Sequence, residues 1–476
     1  MERLSGLDAA FLYGETSSAH MHVGSAMLFD PSTADVDYSL QRVRDTVEAH
    51  LHEIPTFRQR LVFVPFNLHH PVWVNDPDFD LEYHIRSTTL PSPGGLDQLA
   101  DFAADVISRP LDRDRPLWEM WYVDGLEDGH IAVVTKIHHA AIDGVSGREI
   151  ATTLLDTDPD PEVSAPQGTF DPEPIPSDLR LLARAAADRA SLPVELAETA
   201  YRTVRGALKL GALEFEARRD DSDQPNGDRP PAPFTAPRTR FNASITPHRR
   251  VAFVSLALDD VKQVKRAFDV SFNDVVLAVC AGALRSYLAE HGELPADDLV
   301  TWVPIAVRPG GGDDQRNAVS AMITSLATAT ADPAERLRRV SRSAQHAKRQ
   351  HLAIGATTLT DWAEFAAPAM FARAARLYSA TGMAERHRPL YNVVVSNVPG
   401  PRRSLYFAGA ELLSYHPLGP IIDGGALNIS VVSYRDGLFF GLVTCRESVP
   451  DVSRLGEHLA DSLAELLQAA PTEGSS

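Results

Sequence analysis

The run Lys136-Ile137-His138-His139-Ala140-Ala141-Ile142-Asp143-Gly144 carries the residues best suited to chemistry. It reads His-His-x-x-x-Asp-Gly. A histidine with a free ring nitrogen near neutral pH can take a proton from a hydroxyl or thiol as that group attacks a carbonyl. The apolar segment 131–135 just before it reads as a strand, so the pair sits at a strand's mouth with the aspartate and glycine in the following turn. Side chains alternate faces along a strand, so only one histidine can enter a given cleft. A pair of core histidines beside a capping aspartate is the competing reading; Asp143 and Gly144 at this spacing favour the catalytic one.

Around this turn the pattern alternates between strand-like and helix-like pieces. Segments 21–29, 61–66 and 131–135 read as strands, and 37–52 has helical spacing through Leu40, Val43, Val47 and Leu51. Ser146 and Glu149 have capping-box spacing, which predicts a helix just past the turn. Residues 158–176, rich in Pro, Asp and Glu, read as a loop. Residues 179–210 read as an Ala- and Arg-rich helix bent near Pro193, and 220–237 as a linker. Beyond the linker, strands are predicted at 250–258, 300–307, 392–396, 427–434 and 438–444. Helices are predicted at 259–268 and at 271–291, the latter stopping at Gly292. The result is an α/β chain of two halves joined by a long crossover, divided as 1–165, 166–245 and 246–476.

A net charge of -19 argues against a nucleic-acid partner, because phosphate binding needs a basic surface. Two cysteines, Cys280 and Cys445, imply no disulfide framework and fit a reducing compartment. The first residues lack a basic region followed by an apolar one, so no signal peptide is expected. The longest clean apolar run, 275–284, is far short of a membrane span, so no transmembrane helix and a cytoplasmic site are expected. Arg180, Arg184, Arg189, Arg202, Arg205 and Lys209 interleave with leucines. That pattern fits an anionic membrane surface or a solvated helix packed on the domains.

Further segments are distinctive. Arg115-Pro116-Leu117-Trp118 precedes the histidines, Phe272-Asn273-Asp274-Val275 opens a buried helix, and Ser396-Asn397-Val398-Pro399-Gly400-Pro401 follows a strand. With Leu4-Ser5-Gly6-Leu7-Asp8 and Met21-His22-Val23-Gly24 near the start, the chain resembles the bacterial wax ester synthase/diacylglycerol acyltransferase family from about residue 4 to 465. That family lies within the CoA-dependent acyltransferase superfamily. The resemblance implies two chloramphenicol-acetyltransferase-like domains with the active site between them. It implies transfer of an acyl group from acyl-CoA, as co-substrate, to diacylglycerol or a fatty alcohol. No permanently bound cofactor or metal is expected, and contact with a peripheral membrane or lipid-droplet surface is.

Carried over by position, His139 is the general base, with His138, Asp143 and Gly144 completing the motif. Asp143 is expected to pair with Arg308, while Asn273 and Asn397 are candidate substrate or oxyanion contacts. Pro116, Leu117, Trp118 and Asp274 read as structural support, Asp274 by helix capping. His69-His70 lacks a following Asp-Gly and reads as packing. Two rival readings share these residues: a carrier-protein-dependent condensation or polyketide-associated acyltransferase, and a non-catalytic lipid-binding protein.

Overall fold

In the computed structural model, residues 2–35, 37–142, 153–160, 170–188, 231–232, 234–307, 318–354 and 368–471 are described below. Asp143, Gly144, Arg308, the helix expected from Ser146 and most of the 179–210 segment lie outside them.

The motif's strand is central to a six-stranded sheet. Its order is β12 (Tyr406–Phe407), β13 (Ala410–Leu418), β2 (His22–Asp30), β7 (Ile131–His138), β6 (Trp118–Asp124) and β5 (Ile85–Thr89). β7 is antiparallel to both neighbours, pairing His138 with His22 and Ile137 with Trp118. The odd positions of β7, such as Val133 and Ile137, enter one apolar cluster with Phe29, Phe57 and Trp118. The even positions Ala132 and Val134 face another cluster, with Ala26 and Leu99. This period of two is what an apolar run buried on both faces requires.

A second six-stranded sheet has the order β10 (Ala318–Ser325), β9 (Val300–Val307), β11 (Val393–Pro399), β14 (Leu427–Tyr434), β15 (Gly437–Cys445) and β8 (Arg249–Ala257). A small sheet of β1 (Glu2–Arg3), β4 (Val72–Asn75) and β3 (Gln59–Val62) completes the β-structure among the described residues. The segment expected as a strand over 61–66 is a strand only to Val62. A 3-10 turn at Pro65–Asn67 follows, where Phe66 takes φ 58°. Proline lacks the donor that a continuing strand would need.

The described helices are α1 (Gly6–Gly14), α2 (Leu40–His50), α3 (Leu81–His84), α4 (Leu96–Ser108), α5 (Asp178–Asp188), α6 (Leu258–Phe268), α7 (Phe272–Glu290), α8 (Pro333–Ile354), α9 (Pro368–Ala380) and α10 (Val452–Gln468). α7 is the only described helix long and apolar enough to cross a bilayer, and 72% of that stretch is buried in the core of the second half. It begins with a capping box, Ser271 and Asp274 each bonding the other's backbone N–H, and Gly292 beyond its end takes φ +69°.

The sheets do not respect the division drawn at residue 246. β12 and β13 come from the second half of the chain yet complete the first half's sheet, β13 running antiparallel to β2 from Glu411–Asp30 to Leu418–Gly24. The two sheets also approach closely here. A Cβ at Gly441 of β15 would run into the carbonyl oxygen of Pro417 on β13, so this crossing requires a residue without a side chain.

Candidate active site

His138 ends β7, and a 3-10 turn at His139–Ile142 begins at the next residue. Alternation sends the two rings apart. Ile137 faces the cluster containing Trp118, so His138 points to the opposite side of the sheet, where it packs edge-on to His22 with ring centroids 6.0 Å apart. His138 is buried, and its Nδ1 accepts the backbone N–H of Ala140 at 3.0 Å, so its proton resides on Nε2. Burial, aided by Arg113, lowers its pKa to about 3, so the ring is neutral.

His139 is half-buried and turns the other way. Its ring lies flat on Phe11 of α1, centroids 3.7 Å apart and planes 16° from parallel. Its backbone N–H donates to the carbonyl of Met21 at 2.9 Å. Met21 itself takes φ 49°, a left-handed conformation uncommon for a side-chain-bearing residue. Burial lowers the His139 pKa to about 4, with its own backbone partly opposing the shift. The ring is therefore unprotonated above about pH 4. Its Nδ1 is buried without a hydrogen-bond partner among the described residues.

Pro116-Leu117-Trp118 supports this turn by packing and by backbone bonding. The Leu117 carbonyl accepts the His138 N–H at 2.9 Å. Trp118, 1% exposed, is sandwiched between Phe57 and His84 at centroid distances of 4.4 and 4.5 Å, and its indole N–H donates to the Phe57 carbonyl. Asp274 is buried at the α7 N-terminus, where it also accepts from Ser341 Oγ at 2.9 Å. Asn273 and Asn397 meet each other, Asn397 Nδ2 donating to Asn273 Oδ1 at 3.3 Å. The contacts described do not join this pair to His139. His70 is buried and bonds Tyr13 Oη through Nδ1 at 3.0 Å, a packing arrangement.

An apolar cavity lies on the odd face of β7. Met27, Phe57, Trp118, Met120, Leu154 and Leu155 give its walls from the first half, and Phe407 and Tyr415 come from the second. His139 is not among its lining residues, but Ile137 and Ile142, on either side of it in the chain, both are. Two hydroxyls inside it, Ser25 and Thr135, bond one another at 2.8 Å, which leaves the surface largely apolar.

Model matches settle the lineage. Residues 4–276 match the wax ester synthase/diacylglycerol acyltransferase catalytic domain, and residues 316–467 match that family's C-terminal domain. The chain belongs to this family. A Mycobacterium tuberculosis protein carrying a diacylglycerol O-acyltransferase name is 39% identical over 472 residues, covering 99% of this chain and 91% of the relative. Another from that organism, also so named, is 36% identical, with 98% and 99% covered. The wax ester synthase/diacylglycerol acyltransferase from Marinobacter aquaeolei VT8 superposes with a TM-score of 0.67 at 30% identity, over 98% of this chain and 99% of that one. The first condensation domain of the CDA synthetase shares the fold, with a TM-score of 0.57 at 16% identity over 99% and 97%. The family resemblance and the chloramphenicol-acetyltransferase-like α/β class read from sequence therefore hold.

The residues that sequence reasoning passed over lie behind the motif. Lys136 is 1% exposed and bonds Glu119 at 2.5 Å and the carbonyls of Val106 and Arg109. Glu15, His20 and His22 surround His138. In sequence, His22 stands in a family-like segment and Glu15 in a short polar stretch, Glu15-Thr16-Ser17-Ser18. No spacing rule links them to residues more than a hundred positions away.

Proposed function

We propose that this chain is an O-acyltransferase that moves a long-chain acyl group from acyl-CoA to diacylglycerol, with a fatty alcohol as a second acceptor. His139 takes the proton from the acceptor hydroxyl as its oxygen attacks the thioester carbonyl. Collapse of the tetrahedral intermediate expels CoA as thiolate, which receives that proton. Acyl-CoA enters as co-substrate, and no permanently bound cofactor takes part.

The observation that carries this reading is the His139 ring. It is held unprotonated on Phe11, at the end of the strand whose Ile137 lines an apolar cavity walled from both halves of the chain. That lining suits an acyl chain, since each methylene removed from water contributes about 0.8 kcal/mol. The test is purified protein with labelled acyl-CoA, offered diacylglycerol and hexadecanol separately. His139→Ala should cost about 10² to 10⁴ in kcat, the range of a positioned general base. A variant that keeps near wild-type turnover removes His139 from the chemistry.

Lipid substrates also support contact with a lipid surface. Leu179 on α5 is 77% exposed and Phe66 is 84% exposed, and α5 packs beside the turn that bears Phe66. Arg180 and Arg184 are exposed on the same helix. Charge reversal at these two arginines should weaken binding to anionic liposomes; equal binding would exclude this face.

A further inference from the structure

α1 ends at Gly14, and Glu15 caps it, its backbone leaving the helix at φ -68° and ψ 132°. The Glu15 side chain is 9% exposed, an unusual place for a carboxylate that takes no obvious part in substrate binding. It is paired with Arg113, whose guanidinium also reaches the Leu12 carbonyl of α1 at 3.4 Å. Two imidazoles face the same carboxylate, His20 through Nδ1 at 3.8 Å and His138 through Nε2 at 3.9 Å.

The far nitrogen of each ring is fixed by backbone. His20 Nε2 lies 3.1 Å from the Ser108 carbonyl, which requires the proton there. His138 Nδ1 accepts from Ala140, which puts the His138 proton on Nε2, toward Glu15. A protonated Nε2 cannot ligate a metal, and among the described residues no cluster of His, Cys, Asp and Glu is arranged to hold one. His138 Nε2 has no hydrogen-bond partner among the described residues. A separation of 3.9 Å is too long for a hydrogen bond, so Glu15 acts on that N–H through its field. In a site screened from water such a field is far stronger than at the surface.

We propose that Glu15 is a positioning residue for the acyl-transfer reaction, fixing His139 from two sides at once. Through His138 it holds the ring that anchors the Ala140 amide, and with it the first turn after His139. Through Arg113 and the end of α1 it holds Phe11 flat on the His139 imidazole. The inference rests on the reading of His139 as the base.

Glu15→Ala should lower kcat by about 10²-fold, the cost of roughly an ångström of misplacement at a reacting group, with KM for acyl-CoA unchanged. Glu15→Gln keeps the shape and an acceptor oxygen and should fall between wild type and alanine, so it serves if the alanine variant does not fold. Arg113→Met removes the hold on Phe11 but leaves the carboxylate facing His138, so it should lose only part of the activity that Glu15→Ala loses. In protein carrying ¹⁵N-labelled histidine, the His138 Nε2 proton should exchange with solvent faster in Glu15→Ala than in wild type. This readout does not depend on turnover, so it survives a failure of the His139 assignment and separates the two claims. Wild-type kcat in both Glu15 variants overturns the proposal. So does an unchanged exchange rate, or an activity loss that merely tracks the folded fraction or is matched by Arg113→Met.

Discussion

The two large sheets bury different kinds of polar group. Strands of the sheet holding the motif bury His22, Lys136, His138 and His416, with His20 and His84 beside them. Among the described residues, strands of the other sheet bury hydroxyls and amides, such as Thr301, Thr324, Asn428, Ser430 and Thr444, with Arg249, Tyr434 and Cys445 the buried ionisable groups. Hydroxyls and amides have no protonation state to lose near neutral pH, and α7 and α10 cover that sheet with a nearly unbroken apolar layer. The second sheet carries no buried histidine on its described strands. The first accepts buried imidazoles, which cost desolvation energy if charged, and keeps them neutral. Buried groups with shifted pKa values are the candidates for a functional site.

The largest expected effect follows from that asymmetry. Six histidines have pKa values depressed by burial: His20, His84, His139 and His416 to about 4, His138 to about 3, and His22 well below its ordinary value. All belong to, or adjoin, the sheet that carries the motif. A folded pKa below the unfolded value of 6.5 means the unfolded chain binds more protons between the two. Stability is then complete above about pH 6.5 and falls as pH drops toward 4, by up to about 1.4 kcal/mol per pH unit for each histidine. Urea unfolding at pH 7.5 and 5, followed by hydrogen exchange, should show the first sheet opening before the second at the lower pH. A uniform loss across both sheets would break the comparison.

Core truncations sharpen it. Trp118→Ala should destabilise by about 3 to 5 kcal/mol and Leu284→Ala, in α7, by about 2 to 5. Their consequences for turnover should differ. Trp118 is stacked beside the strand end that His138 occupies, and the preceding carbonyl holds the His138 amide, so the folded fraction of Trp118→Ala should turn over more slowly. Leu284 is buried among second-half side chains, and its folded fraction should keep wild-type kcat. Activity per folded molecule, measured by titrating folded protein against rate, distinguishes the two. An equal loss per folded molecule would mean that the second half is more than a scaffold.

These contrasts separate what could be read from the sequence from what could not. Local period and capping chemistry were enough for β7, β14, α6 and α7, because each is set by residues within one or two turns of one another. Strand alternation gave the opposite facing of His138 and the residue after it, and Trp118, which does not titrate, read as packing. The joining of β12 and β13 to the first sheet was not legible, since register between β13 and β2 is a tertiary choice made nearly four hundred positions apart. Nor was Glu15, which looks like an ordinary loop carboxylate until Arg113, His20 and His138 are folded around it. Burial converts such a residue from a solvated charge to an organiser, and burial is the quantity that one-dimensional pattern conveys least.

The smallest expected effect concerns the one polar contact between the two family-like asparagines. Asn273 sits at the first turn of α7 and Asn397 on β11, so their 3.3 Å bond ties a helix N-terminus to the strand beside it. Both are half-buried, so each amide can partly exchange its partner for water on truncation, and the pair should be worth only about 0.5 to 1.5 kcal/mol. Single alanine variants and the double variant, compared by urea midpoint, give the coupling directly. If the bond is all these residues do, the coupling should be of that size and kcat should be unchanged in all three proteins. A kcat loss larger than the coupling energy would instead place one amide against the substrate, for example on the oxygen of the tetrahedral intermediate. The second half would then contribute directly to the proposed acyl transfer.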